Sequence, residues 1–356
     1  MAGGGTGGHI FPAIAIANAI MDLCPDAEFL FVGAKGKMEM EKVPEAGYQI
    51  KGLTIAGFNR SSLLKNLSLP FKLIKSFFQV SKIFNEFKPD AVIGVGGYSS
   101  FPVLRFAQSK GIPTFIHESN SFAGKSNILL GNKATAIFTA CEGMEKFFPA
   151  EKIQISGNPV RKNIAAPVSR KEALAFFGLT EERKTVLIVG GSLGARSINQ
   201  AINANLEQLD QAGIQVIWQT GKPFHEQARL ISTKYNWVRV YDFLNRMDLA
   251  YKAADVVISR SGAMAVSELC IAGKPVIFVP FPHAAEDHQT SNANRLVNKA
   301  AALMVPDAQV NEQLVPALTD LLKNEPLQEQ LKENILKQAI WDADRAVAEK
   351  IVRTLS

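Results

Sequence analysis

The sequence predicts an α/β protein built of two doubly wound domains. Three observations carry that reading. Short apolar runs end in glycine-rich turns and lead into helical patterns throughout the chain, the signature of strands alternating with helices around parallel sheets. At 356 residues the chain is longer than one hydrophobic core usually supports. The strand series also restarts after Gly157-Asn158-Pro159-Val160-Arg161, where a helical pattern at 170–177 is followed by a fresh strand ending in Gly190-Gly191-Ser192.

Taken in order, a glycine loop from Gly3 leads into a helix from Pro12 onward, with Ala13, Ile16, Ala17 and Ile20 on one apolar face at helical spacing. The strand that should precede such a loop is missing from the sequence, so the first sheet is expected to lack its central strand. Strands follow at 28–32, 91–95, 114–117, 136–139 and 153–156, then at 185–189, 215–219, 238–241, 256–259 and 276–279. The last pattern, 341–355, is a helix with Ala343, Ala346, Val347, Ile351 and Val352 on one face. The domains are accordingly placed at 1–157 and 158–335, with 336–356 a terminal helix that packs back on the first domain.

Composition narrows the function. Hydrophobic residues at 47% and charged residues at 20% fit a globular chain that offsets its ordering entropy by burial. Cys24, Cys141 and Cys270 are odd in number and far apart, which suits neither a disulfide framework nor a metal cluster and fits a reducing compartment. No apolar run approaches the roughly 20 residues that cross a bilayer, and no secretory signal opens the chain. The net charge of +6 is concentrated in one stretch, where Arg60, Lys65, Lys72, Lys75, Lys82 and Lys88 face only Glu86. A local basic, aromatic-rich segment points to an anionic surface and away from nucleic acid. Of its apolar residues, Ile74, Phe77, Phe78 and Phe84 are expected in the core, and Leu69, Phe71 and Leu73 at a membrane surface.

Four motifs carry chemistry. Gly3-Gly4-Gly5-Thr6-Gly7-Gly8-His9 opens a helix, so exposed backbone N–H groups and the helix dipole make an anion site suited to phosphate. A nicotinamide or flavin site would want an acidic residue closing the next strand, which here ends Phe31-Val32-Gly33. His9 beside this loop is either a cap or a general base, and its ordinary pKa of about 6.5 suits the latter. Gly190-Gly191-Ser192-Leu193-Gly194-Ala195 is a second loop of the same kind. In the third motif, Ser259 to Glu268, Ser261 is read as the cap of a helix closing at Gly273, and Glu268 as a carboxylate able to accept from a ribose diol. The fourth, Pro280-Phe281-Pro282-His283 with Glu286-Asp287-His288-Gln289, follows a strand end where amide and imidazole groups read sugar hydroxyls. Gly124-Lys125-Ser126 lacks the first glycine of a P-loop, and His117, His225 and His283 lack metal-ligand spacing, so no metal and no cofactor is expected.

Together with Gly96-Gly97-Tyr98, His117-Glu118-Ser119-Asn120 and Gly157 to Arg161, these motifs run in order along the whole chain and resemble the MurG family of N-acetylglucosaminyltransferases. The resemblance implies a GT-B fold, two Rossmann-like domains facing a cleft, and an inverting, metal-independent transfer from UDP-N-acetylglucosamine to lipid I. It implies a peripheral protein on the cytoplasmic face of the bacterial inner membrane. On the donor side it places Ser192 at the diphosphate, Glu268 at the ribose and the backbone of Leu244 at the uracil. Gln289, Asn120 and Arg161 fall at the donor sugar, with Thr6, Gly7 and Gly8 also within reach of the donor. On the acceptor side it places Gly7, Gly8, Tyr98 and Glu118, with His9 as the base and Glu118 as the alternative. His288 stands where some relatives carry a second glutamine. The rival reading is a non-catalytic sensor of nucleotide sugars on the same fold.

Overall fold

The structure, a computed structural model, describes residues 1–57, 67–161, 164, 166–191 and 194–355. Arg60, Lys65, Ser192 and Leu193 therefore lie outside the described residues. The chain divides into two compact units, one of Met1–Val160 with Ile340–Ser356 and one of Arg161–Ala339.

The first unit runs α1 (Gly7–Leu23), β1 (Leu30–Ala34), α2 (Glu39–Glu45), β2 (Gln49–Leu53), α3 (Leu69–Phe87), β3 (Val92–Gly94), α4 (Ser100–Ser109), β4 (Thr114–Glu118), α5 (Lys125–Gly131), β5 (Ala136–Thr139) and β6 (Ile153–Ile155). All strand pairs are parallel: β1 with β2, and β3, β4, β5 and β6 in that order. Between β1 and β3 the central position is held by residues 1–3 alone. Ala2 bridges to both Val32 and Gly94, and its N–H donates to Ile93 O at 2.8 Å. Beyond Met1 the two strands flank a cavity of about 490 Å³ lined by Phe29, Leu30, Phe84, Ile93 and Ile351. Burial there lowers the Met1 amine to a pKa of about 5.

Alternation along each strand splits the core in two. Ile93, Phe115 and Phe138 face α1 and the C-terminal helix, Ala343–Leu355, which contributes Val347, Ala348 and Ile351. Their neighbours Val92, Ile116 and Ile137 face the other way, toward Val80 and Phe84 of α3 and Leu104 of α4. Helix α1 begins at Gly7, five residues before the expected start, and Pro12 sits inside it. Proline carries no N–H, so it cannot make the backbone hydrogen bond that a residue at this position would donate to the preceding turn.

The second unit runs α6 (Arg170–Phe177), β7 (Lys184–Val189), α7 (Arg196–Ala204), α8 (Leu206–Gln211), β8 (Ile214–Gln219), α9 (Lys222–Ser232), β9 (Val238–Tyr241), α10 (Met247–Ala253), β10 (Val256–Ser259), α11 (Ala263–Ala272), β11 (Val276–Phe278), α12 (His288–Val297), β12 (Leu303–Met304), α13 (Val310–Lys323) and α14 (Glu325–Leu336). Its sheet is parallel in the order β12-β11-β10-β7-β8-β9. The chain moves from β7 outward on one side and returns to β10 on the other, so the order reverses at β7/β10. In open sheets of this kind, ligands bind beyond the carboxyl ends of the strands at that reversal. Val186 and Ile188 on β7, Ile198 on α7 and Leu314 on α13 lie in the core that fixes these ends.

Candidate functional site

In the first unit the glycine loop lies beyond the carboxyl end of residues 1–3, beside β3. Thr6 is extended and precedes α1, and its carbonyl accepts from the N–H groups of His9 and Ile10 at 3.1 and 3.2 Å. The His9 ring is turned back over the loop, with Nδ1 at 3.1 Å from Gly4 O and 3.4 Å from Thr6 Oγ1. A carbonyl oxygen only accepts, so the Gly4 contact puts the proton on Nδ1 and leaves Nε2 as the acceptor nitrogen of the neutral ring. Nε2 lies over Gly96, where a side-chain Cβ would stand 3.0 Å from it, so a residue larger than glycine would crowd the ring. Tyr98 follows on the same turn. Burial and the charge of Glu39 raise its phenol pKa.

Glu118 is buried at the end of β4 and accepts from four donors: Asn120 N–H at 3.0 Å, Asn120 Nδ2 at 3.3 Å, Gly124 N–H at 2.9 Å and Asn127 Nδ2 at 2.8 Å. Two carboxylate oxygens have about four lone-pair sites, and these four donors make Glu118 the organiser of the turn. His117, next to it, is fully buried, with Nε2 at 3.1 Å from Gly157 O. Burial lowers its pKa.

In the second unit the second glycine loop leaves β7. Gly194 N–H donates to Gly191 O at 3.0 Å, and Gln219 Nε2 donates to the same carbonyl at 3.0 Å. Gly194 has φ +76°, and a Cβ there would overlap the Thr220 carbonyl, so only glycine closes this turn. Helix α7 then starts at Arg196. Beside it, Arg260 donates to Val279 O, Pro280 O, Asp307 and Ser197, tying the start of α7 to the loop after β11. Ser261 is not the cap expected from the sequence. Gly262, in the extended conformation, holds the cap position of α11, and Ser261 Oγ donates to Gln289 O at 2.8 Å. The helix does close at Gly273, in the left-handed conformation.

Glu268 is buried, as are Val266, Leu269 and Cys270 on α11. Tyr251 Oη donates to its Oε2 at 3.3 Å, and Arg161 Nε stands 3.5 Å from Oε1. Burial raises the Glu268 pKa, with Arg161 and Tyr251 pulling it back in part. Gln289 Oε1 accepts from Phe281 N–H at 2.9 Å, His288 opens α12, and Leu244 is buried in the turn before α10.

The structure thus places Thr6, Gly7, Gly8, His9, Tyr98, Glu118 and Asn120 in the first unit, and in the second it brings Arg161 to Glu268, with Leu244, His288 and Gln289 elsewhere in the same unit. Three neighbours escaped the sequence reading. Tyr251 and Asn127 are ordinary helix residues in the string, and Glu39 touches the glycine loop from 34 residues away.

The glycosyltransferase family 28 N-terminal domain matches residues 1–139, and its C-terminal domain residues 185–346. A Parabacteroides distasonis protein is 50% identical over 358 residues, covering 100% of this chain and 97% of its own. A Cytophaga hutchinsonii protein is 50% identical over 357 residues, covering 100% and 96%. Both are called UDP-N-acetylglucosamine–N-acetylmuramyl-(pentapeptide) pyrophosphoryl-undecaprenol N-acetylglucosamine transferase. The chain belongs to the MurG family. The crystal structure of Acinetobacter baumannii MurG aligns with a TM-score of 0.79 at 29% identity, covering 98% of this chain and 97% of that one. MurG-family membership and the two parallel-sheet units make this a GT-B fold and the chain a hexosyltransferase. A UDP-glucose:anthocyanidin 3-O-glucosyltransferase crystallised with UDP shares the fold at a TM-score of 0.73 and 12% identity.

Proposed function

We propose that the chain transfers N-acetylglucosamine from UDP-N-acetylglucosamine to the muramyl O4 of undecaprenyl-diphospho-N-acetylmuramoyl-pentapeptide, lipid I, to give lipid II for peptidoglycan. The observation that carries the reading is half-identity over the full chain to transferases of that name. In this reading the O4 hydroxyl attacks the anomeric carbon from the face opposite UDP. The new C1–O4 bond forms as the bond to the UDP oxygen breaks, UDP leaves with the electron pair, and the O4 proton passes to His9 Nε2. The configuration at the anomeric carbon inverts.

Each half of the chain supplies one part of this chemistry. Gly7 and Gly8, at the start of α1, offer N–H groups and helix dipole to the acceptor diphosphate, with Tyr98 beside them. Thr6 and Asn120 contribute to sugar recognition. The loop carrying Ser192, ahead of α7, takes the charge that develops on the UDP diphosphate. Glu268 accepts from the ribose diol, the Leu244 backbone meets the uracil, and Arg161, His288 and Gln289 meet the donor sugar. The test is UDP release from UDP-N-acetylglucosamine with and without a lipid I analogue. Acceptor-dependent release supports transfer, whereas donor binding with no release on adding acceptor would indicate a sensor.

The same reading makes the protein peripheral to the cytoplasmic face of the inner membrane. No helix among the described residues is long and apolar enough to cross a bilayer. Ile74 and Phe78 do not join the core as the spacing suggested. They are exposed, and with Leu67 and Phe71 they form a stripe at intervals of four, three and four residues. The opposite face of α3 buries Ser76, Val80 and Phe84, which already fill the space against α4. Lys72 and Lys75 flank the stripe, the arrangement of a helix lying on an anionic lipid surface. Replacing Phe71 and Phe78 together by aspartate is expected to weaken sedimentation with anionic vesicles by more than about tenfold, since each inserted ring contributes about 1.5–3 kcal/mol. Unchanged vesicle binding would remove α3 from this role.

A further inference from the structure

A carboxylate absent from every motif in the sequence stands directly behind the proposed base. Glu39, the first residue of α2, is 1% exposed. Its Oε1 accepts from Ala34 N–H and its Oε2 from Gly5 N–H, both at 2.9 Å. The site is shaped for this side chain, because a Cβ on Gly4 or on Gly33 would overlap the Glu39 side chain. Gly5 N–H and Gly4 C=O belong to one peptide group. That group therefore donates to Glu39 on one side and accepts from His9 Nδ1 at 3.1 Å on the other.

We infer that Glu39 is a positioning residue for His9, acting through the Gly4–Gly5 peptide: it fixes the ring with its proton on Nδ1 and makes Nε2 the more basic nitrogen. A charged acceptor strengthens the hydrogen bond from a peptide N–H, and the polarised peptide carbonyl becomes a better acceptor in turn. The arrangement does for His9 what a directly bonded carboxylate does for a catalytic histidine, orienting the ring and stabilising its protonated form. The positive φ angles of Gly4 and Gly5, +153° and +91°, set the plane of the linking peptide. Among the described residues, the titratable groups facing this region include Tyr98 after β3 and His117 and Glu118 on β4. His117 is held toward its neutral form by burial, and the Glu118 oxygens are taken up by four donors.

The inference rests on the base role of His9 in the proposed transfer, but its test does not require turnover. Nitrogen-15 NMR of labelled histidines in the wild-type chain reads the His9 tautomer directly, and a pH titration reads its pKa. Neutral His9 is expected as the Nδ1–H tautomer. In Glu39→Gln, which keeps the shape and removes the charge, the His9 pKa is expected to fall by about one unit. The acid limb of kcat/KM for the lipid acceptor should move to lower pH with it. The turnover number is expected to fall about tenfold, part of the effect of a positioned base, while KM for UDP-N-acetylglucosamine stays unchanged. An Nε2–H tautomer in the wild-type chain overturns the inference even where the variant does not fold. So does a His9 pKa that stays in place in Glu39→Gln, whatever the loss of activity, because a merely structural contact would lower the rate without moving the titration. A wild-type chain that transfers no sugar would defeat the functional reading and leave the NMR result standing.

Discussion

His9→Ala is expected to reduce turnover by about 10²–10⁴-fold, the contribution of a positioned general base, with UDP-N-acetylglucosamine affinity unchanged. In the proposed reaction the surroundings of the two candidate bases differ. The Gly4 carbonyl assigns its Nδ1 proton and so leaves Nε2 to accept, whereas the Glu118 oxygens already receive four donors. Glu118→Gln should therefore act on the order of the 120–127 turn, seen as a higher KM for the acceptor. Single-turnover measurement of the transfer step is the decisive assay. A His9→Ala chain with near wild-type turnover would take the base role away from it.

Glu268→Gln is expected to raise KM for UDP-N-acetylglucosamine about 10- to 100-fold, since hydrogen bonds to a charged group contribute about 1.5–3 kcal/mol. The loss should appear in donor binding more than in kcat, because the ribose is remote from the reacting bond. The same substitution should stabilise the fold at neutral pH. Burial raises the Glu268 pKa above its unfolded value, so the folded chain holds the proton more tightly, and stability is lost as pH rises through the folded pKa. Glutamine carries no charge to desolvate. The gain in Tm over wild type should be present above the raised pKa and fade as pH falls below the unfolded value near 4.5. Thermal unfolding from pH 4 to 8 and donor titration check the two halves separately. A variant that binds donor normally would detach Glu268 from the ribose.

Much of the fold was legible because burial and chirality write short, regular signals. All ten strands expected from apolar runs are present, three of them (β5, β9 and β10) with the same ends. The strands that escaped are those with little to bury or few residues to show it. In β2 the pattern is mostly exposed or half-buried, with only Leu53 inside, and β12 is two residues long. The first strand of the run at 28–32 shifts to 30–34 because Ala2 and β2 supply ladder partners only from Leu30 onward.

The loops of the candidate site were legible where backbone conformation demands glycine, as at Gly194. The site was not legible where side chains meet across long separations. Nothing in the string ties Glu39 to Gly5 or Tyr251 to Glu268, since those pairs depend on α2 folding onto the glycine loop and α10 onto α11. The aromatic segment misled for a related reason. Helical spacing marks a stripe but not which of two apolar stripes faces inward, and α3 carries both.

The split of the first unit has a consequence for how the protein is made. Val347, Ala348 and Ile351 complete the face of α1 that buries Ile16 and Ile20, yet about 180 residues, the whole of the second unit, separate them from Val160. At ribosomal rates of about 5–20 residues per second, the nascent amino-terminal half waits on the order of ten to forty seconds with that greasy surface uncovered. Its final docking must await synthesis of the second unit, which makes the interval a natural window for chaperone capture.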